Sequence, residues 1–155
     1  MAVRNYRDLI VWQKGMDLVV TAYSLAEELP PCERFGLTAQ LKRAAVSVPV
    51  NIAEGEGRGS QPEFRRFLRI AYGSLREIET VVLIAIRLRL TAQSSAEPVM
   101  RLATEVGRLI NGLERTLVNG RQTSAVDSRP TTPDNRRSTT NRRLPTGNCR
   151  PPTAD

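Results

Sequence analysis

Residues 35–55 read FGLTAQLKRAAVSVPVNIAEG, and the order of apolar and polar side chains within them decides the fold. Leu37, Leu41, Ala44, Ala45, Val48 and Ile52 recur at spacings of three and four, the stripe of a core-facing helix. The spacing predicts a helix over residues 34–54, with a kink or local break at Pro49, which removes one backbone hydrogen bond. Gln40, Arg43, Ser47, Asn51 and Glu54 follow at spacings of 3, 4, 4 and 3 beside the apolar face. They fall within about 80° on a helical wheel. An exposed face is more typically rich in Lys and Glu. This seam is therefore expected to form a hydrogen-bond network between helices or between subunits.

The same period extends in both directions. Upstream, Leu9, Trp12, Met16, Val19, Tyr23 and Ala26 form the expected core stripe of a first helix, ended by Pro30-Pro31. Trp12 and Tyr23 are read as core residues. Val11, Leu18, Ala22, Leu25 and Leu29 form a second stripe beside it. The combined apolar arc spans roughly 220°, more than one bundle needs. Self-association is the expected outlet, and deep burial within one domain is the alternative.

Downstream, Gly55, Gly57 and Gly59 are expected to end the second helix and form the turn. Ser60, Pro62 and Glu63 then make an N-terminal capping pattern. The third helix should run to about Leu90 with Phe64, Phe67, Leu68, Ala71, Leu75, Ile78, Val82, Ala85 and Ile86 inward. A fourth should start after Ser94 or Ser95 with Val99, Leu102, Val106, Leu109, Leu113 and Leu117 inward, and stop at Asn119-Gly120. Four amphipathic helices with short connections make an all-α, up-down-up-down four-helix bundle over residues 1–119. An open or swapped array that closes as an oligomer is the alternative.

Charge divides the chain. Of 155 residues, 23 are Lys or Arg and 16 are Asp or Glu, a net +7. Residues 1–119 hold 16 basic and 13 acidic side chains, net +3, and residues 120–155 hold 7 Arg and 3 Asp, net +4. The latter are rich in Arg, Pro and Thr and poor in large apolar residues, so a disordered tail is expected there. No histidine is present, which removes the usual general base and zinc ligand. Cys32 and Cys149 cannot build a disulfide scaffold or a four-cysteine metal site, and Cys32 is read as structural or exposed. Nothing fixes a separation among Glu54, Glu56 and Glu63 that would suit acid–base work. No enzyme activity, cofactor or metal is expected. Without a signal-peptide core or an apolar run of about 18 residues, a cytoplasmic protein that does not enter membranes is expected.

The third helix carries Arg65, Arg69, Arg76 and Arg87 within about 40° of one another, with Tyr72 beside them. Arg66 is displaced but long enough to reach the same surface. Arginines in a row bind phosphates bidentately and a tyrosine can stack on a base, so nucleic-acid contact is expected. A solvated face with salt bridges is the competing reading. Gly55-Glu56-Gly57-Arg58-Gly59-Ser60 has the glycines of a phosphate loop but neither a preceding strand nor its closing Lys, so it reads as a helix–helix turn. Arg58 and the start of the third helix remain candidates for a phosphate there.

The run Phe35–Gly55 resembles the signature of the bacterial four-helix bundle proteins, also called 23S ribosomal RNA intervening-sequence proteins. Leu9-Ile10-Val11-Trp12-Gln13 and Phe64–Glu77 agree with it. The resemblance covers residues 5–118 and implies a homopentamer. It also implies relation to the accessory variability determinant protein of diversity-generating retroelements, a basic pentameric barrel that binds nucleic acid and a partner reverse transcriptase. It carries forward Lys42, Arg43, Arg58, Arg65, Arg66, Arg69 and Arg76 as phosphate contacts. Lys42 departs from the Arg-Arg pair common in the family, which keeps the charge but loses a planar fork. The chain is thus expected to be a non-enzymatic helical oligomer that binds structured RNA. A module docking a reverse transcriptase, or a purely structural oligomer, are the alternatives.

Overall fold

The computed structural model describes residues 5–124, with side chains through Asn119. Four helices form it: α1 (Ile10–Glu28), α2 (Leu37–Gly57), α3 (Gln61–Arg87) and α4 (Gln93–Ser124). No strand occurs among the described residues. Each helix runs antiparallel to the next. Lys14 on α1 pairs with Glu105 on α4 at 3.3 Å, which closes the ring between the first and last helices. The bundle is up-down-up-down.

The core face of α2 is the expected one: Leu41, Ala44, Ala45, Val48 and Ile52 are buried, and Leu37 is half-buried at its start. Pro49 is also buried, and α2 continues through it without the anticipated break. Gly15 of α1 lies against Pro49, where a Cβ would meet Pro49 Cβ at an ordinary contact distance of 3.5 Å. Glu33 ends a short 3-10 turn, Pro31–Glu33, just before α2. Its carboxylate accepts from the Leu37 N–H at 3.1 Å and caps the helix start.

α2 and α3 make the most extensive of the helix pairings. Small residues permit it: Ala44, Ala45, Gly55, Ala71 and Ser74 are all buried. Gly55 therefore lies inside α2, while Gly57 is its last residue, as expected. The turn is made by Arg58 and by Gly59, whose φ of 66° suits glycine. Ser60 Oγ accepts from the Glu63 N–H at 3.5 Å, a long cap.

The core face expected for α3 is buried throughout, except that Ile86 is half-buried. The helix stops at Arg87, earlier than expected. Leu90 N–H donates to Ala85 O and Arg89 N–H to Ile86 O, both at 2.9 Å. This pair of bonds is a Schellman cap. It places Arg89 at φ 58°, the left-handed position usually given to glycine.

Two expectations are corrected. In α1 the buried face shifts to the second stripe, and of the first only Leu9 and Ala26 are buried as expected. Val11, Leu18, Ala22 and Leu25 are buried together with Gly15 and Ala26. Of the stripe expected inside, Trp12 and Val19 are half-buried and Met16 and Tyr23 are exposed. Trp12 instead packs edge-on against Tyr6, 5.3 Å between ring centres. Periodicity gave two adjacent stripes, and only the helix's position between α2 and α4 chooses between them. In α4, Ala96, Val99, Ala103, Val106 and Ile110 are buried, while Leu102, Leu109, Leu113 and Leu117 flank them half-buried. α4 also starts earlier, at Gln93, and continues past Asn119-Gly120 to Ser124. The expected disordered tail otherwise lies outside the described residues. Among the described residues, no helix is long and apolar enough to cross a membrane.

Candidate nucleic-acid interface

The predicted basic residues do not gather into one patch. They fall on three parts of the bundle.

Arg65, Arg69, Tyr72 and Arg76 run along the α3–α4 seam. Arg69 Nε donates to Glu114 on α4 at 3.0 Å. Arg76 stacks over the Tyr72 ring at 4.8 Å and pairs with Glu79 at 2.9 Å. Gly107 of α4 lies against this stacked pair, where a Cβ would reach Tyr72 Cε2 at 3.5 Å and Arg76 at 3.6 Å, ordinary contact distances. Tyr72 thus already has a guanidinium on its ring, which is the place a base would take.

Arg58 and Arg66 lie at the α2–α3 turn, on either side of Phe67. Their guanidinium carbons are 5.3 and 5.9 Å from its ring centre. Each has a carboxylate of its own. Arg58 bonds Glu54 one turn earlier, and Arg66 reaches Glu63 at 3.5 Å. The Glu54 carboxylate holds the Arg58 guanidinium in its charged form even more firmly than usual.

Lys42 lies on the opposite side, its Nζ 4.9 Å from the Tyr23 ring centre on α1. Arg43 bonds Gln40 within α2.

The polar seam divides in a similar way. Asn51 Nδ2 donates to Ser47 O at 2.8 Å and to Ser47 Oγ at 2.9 Å. Ser74 Oγ on α3 donates to Ser47 Oγ, also at 2.9 Å. The middle of the seam is thus a hydrogen-bonded link between helices. Gln40, Arg43 and Glu54 at its ends make local bonds along α2. Ser74, its partner across the interface, was not singled out in the sequence. It stands at a core position between Ala71 and Ile78, where a buried hydroxyl needs such a bond.

Sequence reading also passed over the α4 side of the seam. Asn111 and Arg115 line a hollow of about 430 Å³ together with Arg65 and Arg69. Their signal was spacing: Asn111 and Arg115 lie four residues apart, on one face of a helix. Elsewhere, Cys32 is a free, exposed thiol.

On α1 and α2, Tyr6, Trp12, Met16, Val19, Val46 and Val50 line an open apolar hollow of about 370 Å³. Val50 is 52% exposed and Met16 41%, beyond what solvent-facing helix positions usually carry.

These features define an all-α bundle with arginines distributed over its helix seams and an apolar face on its first two helices. The chain belongs to the 23S rRNA-intervening sequence protein family, whose pattern matches residues 7–112. Its fold is similar to the crystal structure of a protein of unknown function from the S23 ribosomal protein family of Bacteroides thetaiotaomicron. That likeness has a TM-score of 0.64 at 24% identity and covers 68% of this chain and 99% of the other. No match is found among curated proteins.

Proposed function

We propose that this chain is a non-enzymatic protein that assembles with copies of itself and binds structured RNA. The observation that carries the RNA reading is the line of Arg65, Arg69 and Arg76 along one helix seam, where successive guanidinium groups can follow successive phosphates. The family's name, which refers to the 23S rRNA intervening sequence, supports it. The wide apolar face of α1 and α2 supports self-association. Five subunits, and the relation to the retroelement accessory protein, rest on the sequence resemblance. The proposed location is the cytoplasm.

The experiment is a binding titration with a structured RNA across salt concentrations. Log affinity should fall linearly with log salt. Replacing Arg65, Arg69 and Arg76 together with Glu should abolish binding while leaving assembly intact. No binding at low salt, or a flat salt response, removes the RNA reading. Retention of RNA binding by the triple variant removes the seam. Loss of capture of a partner reverse transcriptase without any RNA effect would favour the docking module instead.

A further inference from the structure

We propose that the groove between α3 and the C-terminal half of α4 is the seat of the RNA phosphodiester backbone, gripped by Arg65 and Arg115 rather than by the whole arginine stripe. This rests on the RNA-binding reading above and narrows it to a site.

Two hollows, of about 540 and 430 Å³, adjoin along this seam and share Arg65 and Arg69. The first lies on α3 alone and the second between α3 and α4, so together they form an open surface that passes from α3 onto α4. Such a surface has room for a polymer backbone to lie across it.

The arginines in and near it are unequal. Arg66, Arg69 and Arg76 each have a carboxylate, at 3.5, 3.0 and 2.9 Å. Arg76 is further tied down by its stack on Tyr72. Among the described residues, Arg65 and Arg115 form no salt bridge. Arg65 Nε is also shut off from solvent with no hydrogen-bond partner. That N–H meets a ligand only if the side chain turns, but the terminal nitrogens of Arg65 are not shut off and can donate into the hollow that Arg65 lines. A phosphate oxygen is a fitting acceptor, because the guanidinium fork grips a phosphate through two parallel bonds. Arg115 projects from the other wall of the same hollow, and the Asn111 amide adds a donor and an acceptor between them. Along α3, Arg65 and Arg69 are about 6 Å apart in rise, so Arg69 stands one backbone unit further on. Glu114 occupies Arg69 until the ligand displaces it.

An acidic polypeptide offers carboxylates to the same donors. Arginine forks on both sides of the hollow, Arg65 from α3 and Arg115 from α4, favour the bidentate grip of a phosphodiester, and the test separates the two.

The full chain is titrated with a fluorescent hairpin RNA, with DNA of the same sequence and with polyglutamate, each over a salt series. Arg65→Gln with Arg115→Gln should weaken RNA binding at least tenfold and lower the log–log salt slope by about 2. Arg115→Gln alone, at an exposed position that folding tolerates, should lower it by about 1. Glu114→Gln should tighten binding severalfold, because it releases Arg69. Arg34→Gln, at an exposed position just before α2 and outside the groove, should stay within twofold of the parent. Thermal unfolding of each variant confirms that the fold is kept. RNA binding unchanged in the double variant overturns the groove while the RNA reading stands. So does an Arg34→Gln effect as large as the double. A double variant that loses polyglutamate but keeps RNA makes the groove an acidic-protein site and overturns the proposal. A parent chain that binds no RNA at low salt overturns the broader reading, and the groove with it.

Discussion

A Cβ placed on Gly55 would lie 2.6 Å from the Cβ of Phe67, inside any allowed carbon–carbon contact. Both atoms are fixed directly to backbone, so neither can turn away. α2 and α3 are as close as they are here because residue 55 has no side chain. Gly55→Ala should push the helices apart and destabilise the fold by about 1–3 kcal/mol. Urea unfolding at fixed protein concentration measures it. An unchanged midpoint would mean that the pair relaxes freely. Gly57, with no heavy atom within 4 Å of a built Cβ, is the control, and Gly57→Ala should be neutral or slightly stabilising.

Ser74→Ala removes the donor that spans from α3 to Ser47 on α2. Ser47 keeps its bonds from Asn51, so no buried group is orphaned. The expected loss is about 1 kcal/mol. Asn51→Ala in the same background tests whether the three residues act as one unit. Non-additive losses in a double-mutant cycle indicate that they do.

Arg89 occupies a left-handed position within a Schellman cap. Glycine adopts that conformation without the Cβ penalty. Arg89→Gly should raise stability by about 0.5–1 kcal/mol, read as a higher melting temperature. A lower one would mean that the arginine makes compensating contacts.

Met16 and Val50 stand on the apolar hollow shared by α1 and α2. Both are exposed, so Met16→Asp with Val50→Asp should leave the bundle folded but shift a self-associated species towards monomer. Light scattering at micromolar concentration reads the mass. A parent chain that is already monomeric would leave the exposed apolar face without the proposed explanation.

Much of this architecture was legible in the sequence, and the limits were physical. The α2 and α3 core faces were readable because each helix has one dominant stripe. In α1 two stripes lie side by side, and choosing Val11, Leu18 and Ala22 over Trp12, Met16 and Tyr23 requires knowing where α2 and α4 pack. The glycines after Ile52 looked like a helix stop, since backbone freedom is their commonest use. Gly55 serves close approach instead, a property of the partner helix rather than of its own segment. The arginine stripe on α3 was visible as spacing. Which of its members are already engaged was not, because Glu114 lies 45 residues from Arg69 in sequence.

With Arg58, Arg66, Arg69 and Arg76 each set against a carboxylate, much of the helical surface presents dipoles rather than free charges. A dipole's field decays faster with distance than a single charge's. Net charge follows the same division, +3 in residues 1–119 and +4 in residues 120–155. For a polyanionic partner, the two stretches then govern different rate constants. The C-terminal residues set how often an encounter occurs, a quantity that salt suppresses steeply. The helices would set how long the encounter lasts, since there a phosphate meets Arg65 and Arg115 directly but must compete with a resident carboxylate at the paired arginines. Shortening the chain at its C-terminus should therefore slow capture more than it hastens release.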